Sequence, residues 1–184
     1  KAGASLLPSI CRKGVKPLDF RNASPADAAL MSRIHALSWK SAYRGMVPGR
    51  YLDELPEDYW TAAFAEWLAA GTAQALIAYD GETPVGCSVF GPAREEAFAG
   101  WGEVITLYLL PKAVGTGAGS ALFEAALERL RAMGFCRVTL WALRENERAR
   151  RFYERHGFSW NGDTFVDVRT GVPLTDYRYL RPPG

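Results

Sequence analysis

The sequence predicts an α/β fold in the broad sense, a mixed and mostly antiparallel central sheet flanked by helices. Three observations predict it. The middle of the chain reads as strand, glycine turn, helix and strand between Glu103 and Leu143. Strand-like runs on either side are joined by turn residues, as antiparallel hairpins require. The composition, 48% apolar and 23% charged, is that of a globular chain with material for a core. At 184 residues the chain fits one domain.

The elements follow in order. Residues 1–17, which begin at Lys1 rather than Met, are set aside as a leader or a segment foreign to the fold, so the domain is expected over 18–184. A short apolar-bearing stretch, Leu18 to Arg21, precedes Ser24-Pro25-Ala26-Asp27, which offers an N-cap, a proline at the first helical position and an early carboxylate. Ala28, Met31, Ile34 and Leu37 then recur at helical spacing toward Trp39 and Tyr43, until Gly45, Pro48 and Gly49 break the pattern. Tyr59, Trp60, Ala63, Phe64, Trp67 and Leu68 mark a second helix that stops at Gly71.

Ala75 to Tyr79 and Val85 to Phe90 read as a hairpin across Asp80-Gly81. Glu103 to Leu110 has the β-branched and aromatic content of a buried strand. Leu122, Phe123, Ala126, Leu127, Leu130 and Met133 form the stripe of the next helix, which ends at Gly134, and Arg137 to Leu143 is extended. Asn146 caps a short helix carrying Ala149, Phe152, Tyr153 and His156. Thr164 to Val168 and Tyr177 to Leu180 close the chain as an antiparallel pair around Arg169-Thr170-Gly171.

Composition also excludes. A net charge of +2 announces no nucleic-acid partner. No apolar run reaches the roughly 18 residues that cross a bilayer, so no membrane partner is expected. Cys11, Cys87 and Cys136 are odd in number and widely spaced, unlike a disulfide framework or a zinc cluster, which points to a reducing, cytoplasmic setting. His35 and His156 sit on helices without ligand-spaced partners, so no metal is expected. The abundance of aromatics is compatible with a homodimer.

The segment Val114-Gly115-Thr116-Gly117-Ala118-Gly119-Ser120 lies between a strand and a helix, where free N–H groups and the helix dipole suit an anion. A turn that merely connects two elements would look similar. A nucleoside-triphosphate loop needs a Gly-Lys pair that is absent, and a dinucleotide fingerprint fails because its third glycine would fall on Ser120 or Leu122.

With its flanks, Leu107 to Pro111 before and Ser120 to Phe123 after, this segment resembles the signature of the GNAT superfamily of acyl-CoA-dependent N-acetyltransferases, Q/R-x-x-G-x-G/A at a helix start. Val114 departs from it by replacing the usual Gln or Arg. A second stretch, Asn146 to Phe158, resembles the family's N-x-x-A-x-x-x-Y-x-x-x-G-F. Both motifs occur in the family's order, and the resemblance runs from Phe20 to the end.

The resemblance implies a splayed strand pair that receives acetyl-CoA. A bulge would part the strand Glu103 to Leu110 from its neighbour, pantetheine would pair with backbone near Leu107 and Leu109, the phosphates would meet residues 114–120, and Asn146 would contact the arm near the thiol. It also implies that Tyr153 is the general acid for the departing thiolate. Glu103 matches a glutamate that acts as general base through water in one subgroup, although a solvated carboxylate at a strand end needs no such role. The chemistry demands such groups, since a lysine-like amine of pKa near 10.4 must lose a proton and the developing oxyanion needs donors.

The acceptor side falls to the first half of the chain. Trp39 and Tyr43, one helical turn apart, are its candidate walls, and aromatic faces receive cations, although such pairs also build cores. Arg148, Arg150, Arg151 and Arg155 read as a solvated helix face, of which one member could meet the adenosine phosphates. The expected activity is acetyl transfer from acetyl-CoA to a small-molecule primary amine in a ternary complex. A protein N-terminus or lysine is the alternative acceptor, and an idle acyl-CoA-binding sensor is the alternative of another class.

Overall fold

The computed structural model describes residues 18–168 and 170–183. The expected leader, Cys11, and Arg169 of the closing turn lie outside the described residues. The chain forms β1 (Asp19–Asn22), α1 (Ala28–Ala42), α2 (Gly49–Glu54), α3 (Thr61–Ala70), β2 (Gln74–Asp80), β3 (Thr83–Pro92), β4 (Gly102–Leu109), α4 (Ala118–Ala132), β5 (Val138–Leu143), α5 (Glu147–Arg155), β6 (Ser159–Asp167) and β7 (Leu174–Arg181). Short 3-10 turns at Pro25–Asp27, Glu96–Phe98 and Pro111–Ala113 join some of them.

The strands make one sheet in the order β1-β2-β3-β4-β5-β7-β6. All neighbours are antiparallel except β4 and β5. The single parallel pair follows from the connection, because only a crossover through α4 links β4 to β5. Period-two alternation sorts side chains to two faces. Leu76 and Ala78 of β2 join Leu122, Phe123, Ala126 and Leu130 of α4 in one core, whereas Ala75 and Ile77 join Met31 and Ile34 of α1 and Phe64 of α3 in the other. Helices therefore cover both faces.

The sequence-level boundaries shift in three places. The helix expected from Ser24 begins with a 3-10 turn, where the Ser24 N–H and hydroxyl both donate to the Asp27 carboxylate at 2.8 Å, and α1 proper follows at Ala28. The six-residue α2 falls between Gly49 and Glu54, in a stretch where Pro48 and Gly49 signal a break. β6 starts at Ser159, five residues before the expected Thr164, because the irregularity between Trp160 and Thr164 lets the strand resume pairing with β7 beyond it.

Two features of β4 position the site. Between β3 and β4, Thr106 faces Val89 while Val104 faces Phe90, which makes Ile105 the extra residue of a bulge. Side chains replace ladder bonds there: the Val89 N–H donates to Thr106 Oγ1 at 3.1 Å and Ser88 Oγ donates to the Thr106 carbonyl at 2.8 Å. Beyond Glu103 no described strand pairs with the other edge of β4, since its pairing with β5 is confined to Gly102 with Val138 and Glu103 with Thr139. The two strands diverge into a cleft.

Candidate active site

The cleft between the diverging strands has a volume of about 670 Å³. One wall is β4 from Val104 to Leu109, the other is the end of β5 with Asn146, Ala149 and Tyr153, and the glycine turn closes one end. The Leu110 N–H donates to the Val85 carbonyl at 2.8 Å. By strand alternation the backbone groups of Leu109 and Leu107 face the opposite edge, where no described strand pairs with them. Ser38 of α1 already donates its hydroxyl to the Leu109 carbonyl at 2.6 Å, which pins that end of the strand.

The turn has the backbone that its glycines permit. Gly115 and Gly117 sit at φ values of 86° and 95°, where a side chain would strain the chain. A Cβ on Gly119 would lie 3.0 Å from Leu109 Cδ1, so a side chain there would make that leucine methyl give way by a few tenths of an ångström. The first-turn N–H groups of α4 at Gly119 and Ser120 have no intrahelical acceptor, whereas Ala118 has a long contact of 3.4 Å to Thr116 Oγ1. Val114 is extended and 38% exposed at the mouth. Arg148 and Arg155 line the cleft. Arg150 is instead held by the Tyr179 hydroxyl and Arg151 by Glu147, both away from it.

Asn146 and Tyr153 both line the cleft. Asn146 Oδ1 accepts from the Ala149 N–H at 3.1 Å and so caps α5 as well. Tyr153 packs against Phe123 and Phe152, each with ring centroids at 5.4 Å, and burial pushes its phenol well above the usual tyrosine range. The hydroxyl is therefore protonated at any physiological pH.

Glu103 stands apart from the group expected to work together. It is 4% exposed and lines neither cavity. Arg94 donates to it three times, from its backbone N–H and Nε at 3.1 Å and from Nη2 at 2.6 Å. A carboxylate held in this way ties the β3–β4 connection to the start of β4, where the parallel pairing with β5 is formed.

A second cavity, of about 490 Å³, opens on the α1 and α3 face of the sheet. It shares Tyr43, Ile105, Thr106, Tyr108, Trp141 and Leu143 with the first, so the two meet at the β4 bulge. Trp39 and Tyr43 line it, with rings edge to face at 4.8 Å, and they also pack against the small core around Val47 and Leu52. Sequence reading missed Trp60, Trp67 and Tyr108 as walls and Asp167 and Asp176 as acidic lining. Their signal is weak because Trp60 and Trp67 look like any apolar helix face, while the two aspartates reach the cavity only through the sheet order that places β7 beside β5.

His35 is sandwiched between the rings of Trp60 and Tyr108, at 3.8 Å and 4.1 Å. Burial pulls its pKa down to about 3, so the imidazole is neutral, and neither ring nitrogen has a hydrogen-bond partner among the described residues. Among those residues no group of three or more His, Cys, Asp and Glu side chains is assembled that could hold a metal ion. No helix among them is long and apolar enough to cross a membrane.

Known proteins resemble this arrangement. Residues 32–158 match the model of the acetyltransferase (GNAT) family. A probable N-acetyltransferase of Mycobacterium tuberculosis is 28% identical over 172 residues, which cover 90% of this chain and 96% of that protein. An N-acetyltransferase of Bacillus subtilis is 30% identical over 131 residues, 68% of this chain and 72% of that one. Among solved structures, the PaiA N-acetyltransferase of Thermoplasma acidophilum in complex with coenzyme A superimposes with a TM-score of 0.74 at 20% identity, over 91% of this chain and 99% of that one.

Proposed function

The chain belongs to the GNAT family of acetyltransferases, and from that premise we propose that it moves an acetyl group from acetyl-CoA to a primary amine of a small molecule, directly, within a ternary complex. The observation that carries this reading is the parting of β4 from β5 after Glu103, opposite a glycine turn at a helix start. The edge at Leu107 and Leu109, which no described strand pairs, receives the pantetheine amides as an added strand would, with the Leu109 carbonyl shared with the Ser38 hydroxyl. The turn from Val114 to Ser120 presents backbone N–H groups to the phosphates, and these donors do not depend on the side chain at position 114. Arg148 adds a guanidinium on the same side.

Tyr153 gives the departing thiolate its proton. Its phenol is held protonated by burial and lies on the cleft wall. Asn146 orients the arm near the thiol with the amide that remains beside its capping oxygen. The acceptor enters from the second cavity, with Trp39 and Tyr43 among its walls, and meets the thioester where the two cavities share Tyr43 and Tyr108. A concave volume of about 490 Å³ favours a small amine over a protein surface.

The test is acetyl-CoA-dependent thiol release with polyamines, amino acids, aminoglycosides and short peptides, against an amine-free blank, alongside calorimetric titration of acetyl-CoA. Release above the blank with a small amine supports the reading. Saturable acetyl-CoA binding with no transfer to any amine would instead describe a sensor.

A further inference from the structure

The cleft between β4 and β5 carries charge of one sign. Among the described residues its lining holds Arg148 and Arg155 and neither Asp nor Glu. Neighbouring guanidiniums are committed within the fold: Arg144 to Glu145, Arg151 to Glu147, and Arg150 to the Tyr179 hydroxyl and the Arg144 carbonyl. Arg148 has neither an ion pair nor a side-chain hydrogen bond among the described residues. The packing of α5 fixes where it stands. Phe152, one turn further along, lies against Phe123 with ring centroids at 5.4 Å, and its ring edge comes within 3.8 Å of where a Cβ on Gly119 would be. The same face of α5 turns Arg148 toward the glycine turn, where a Cβ on Gly115, the residue after Val114, would meet Arg148 Nη2 at 3.9 Å. The guanidinium thus sits in the first turn of α5 and beside the turn that enters α4, near the positive ends of two helix dipoles. A cation so placed is unfavourable alone, and an anion between it and the two helix ends offsets that cost.

From this placement we infer that Arg148 supplies, from α5, the side-chain contact to the cofactor pyrophosphate that the family signature places at position 114, where this chain has Val114. The inference rests on the reading of the cleft as the acetyl-CoA site. The glycine turn suits the group, because the positive φ of Gly115 and Gly117 leaves its backbone open to close approach. A planar guanidinium holds two phosphate oxygens at once and keeps its charge at every relevant pH. The clamp has therefore moved across the cleft: it ties α5 to the turn through the ligand instead of adding a second donor to the turn itself. Arg155, two turns further along α5 and so about 10 Å away along the axis, serves another part of the ligand.

Calorimetric titration of the full chain with CoA and with dephospho-CoA, which keeps the pyrophosphate and lacks the 3′-phosphate, tests the inference apart from catalysis. Arg148→Ala is expected to weaken both ligands alike, by about tenfold at low salt, and to flatten the salt dependence of binding. Arg148→Lys keeps the charge without the fork and recovers only part of the loss. Val114→Gln raises affinity by more in the Arg148→Ala background than in the parent, because the two side chains serve the same phosphates. Arg148 is exposed and unpaired among the described residues, so its urea unfolding curve stays that of the parent, which separates a lost contact from a lost fold. Four results overturn the inference: affinity within about twofold of the parent in Arg148→Ala, a loss confined to CoA, a loss of dephospho-CoA affinity that is larger in Arg155→Ala, or equal gains from Val114→Gln in the two backgrounds. Binding by the parent that Arg148→Ala leaves untouched keeps the reading of the cleft and sinks the inference. A parent that binds neither ligand sinks that reading and the inference with it.

Discussion

The hydroxyls of Tyr43 and Tyr108 lie 3.2 Å apart, at the place where the cofactor cleft and the second cavity meet. One comes from the C-terminal end of α1 and the other from β4, and both line both cavities. Burial raises both phenols above the usual range, so the pair is neutral, and either hydroxyl can donate to the other by rotation about its C–O bond.

Tyr43→Phe and Tyr108→Phe should each lower kcat/KM for the acceptor by about 2- to 10-fold, the value of one neutral hydrogen bond of roughly 0.5–1.5 kcal/mol. The double variant should cost little more than either single one, because both remove the same interaction. A double-mutant cycle with steady-state kinetics measures this, and full additivity would mean that the two hydroxyls act separately.

Tyr153→Phe removes the proposed proton donor and keeps the ring that packs on Phe123 and Phe152. The expected loss in kcat is about 10²-fold or more, in the range of general acid catalysis, with acetyl-CoA affinity changed little. Turnover within a few-fold of the parent would remove Tyr153 from the mechanism.

Much of this was legible in the chain. The strand, glycine turn and helix that bear the cleft are local, so Gly115, Gly117 and Gly119 could be read from neighbours in sequence, as could the caps at Ser24 and Asn146. What depends on contacts distant in sequence was not. The partner of Glu103 is Arg94, nine residues away across the β3–β4 connection, and nothing in their spacing announces the pair. Tyr108 was read as part of an apolar strand, and its place against His35 follows only from the packing of α1 on β4. Asp176 reaches the acceptor cavity because β7 inserts between β5 and β6, an order that hairpin signals do not fix.

Val114 occupies the position where the family signature carries a Gln or Arg, and it is exposed at the cleft mouth. Val114→Gln adds a side-chain donor to a turn that otherwise offers backbone N–H groups. Acetyl-CoA affinity should rise by about 2- to 10-fold, as one further hydrogen bond of roughly 0.5–1.5 kcal/mol allows. Calorimetric titration reads the change. Unaltered affinity would place the phosphates out of reach of position 114.

Glu103→Gln distinguishes a strut from a base. Arg94 would lose its counter-charge, and stability should fall by about 1–3 kcal/mol, the range for unsatisfied or charge-assisted bonds. Urea unfolding checks that figure. As a strut, the variant retains the acid limb of the kcat/KM profile well below its unfolding temperature. Loss of that limb would assign Glu103 the role of base through water.

His35 gives the fold an acid-sensitive point. Its pKa falls from about 6.5 in the unfolded chain to about 3 in the folded one, through burial between Trp60 and Tyr108. Between these values the unfolded chain binds a proton that the folded chain does not, so stability is fully present above pH 6.5 and declines as the pH falls toward 3. The slope contributed by one such group is at most about 1.4 kcal/mol per pH unit. His35→Phe keeps a ring between Trp60 and Tyr108 and removes two buried nitrogens without partners. Its unfolding free energy should therefore lose part of the parent's decline between pH 6.5 and pH 4.5, so that the variant gains on the parent as the solution becomes more acidic. Urea titrations at several pH values measure both curves. Parallel curves across that window would mean that the imidazole is protonated in the folded chain.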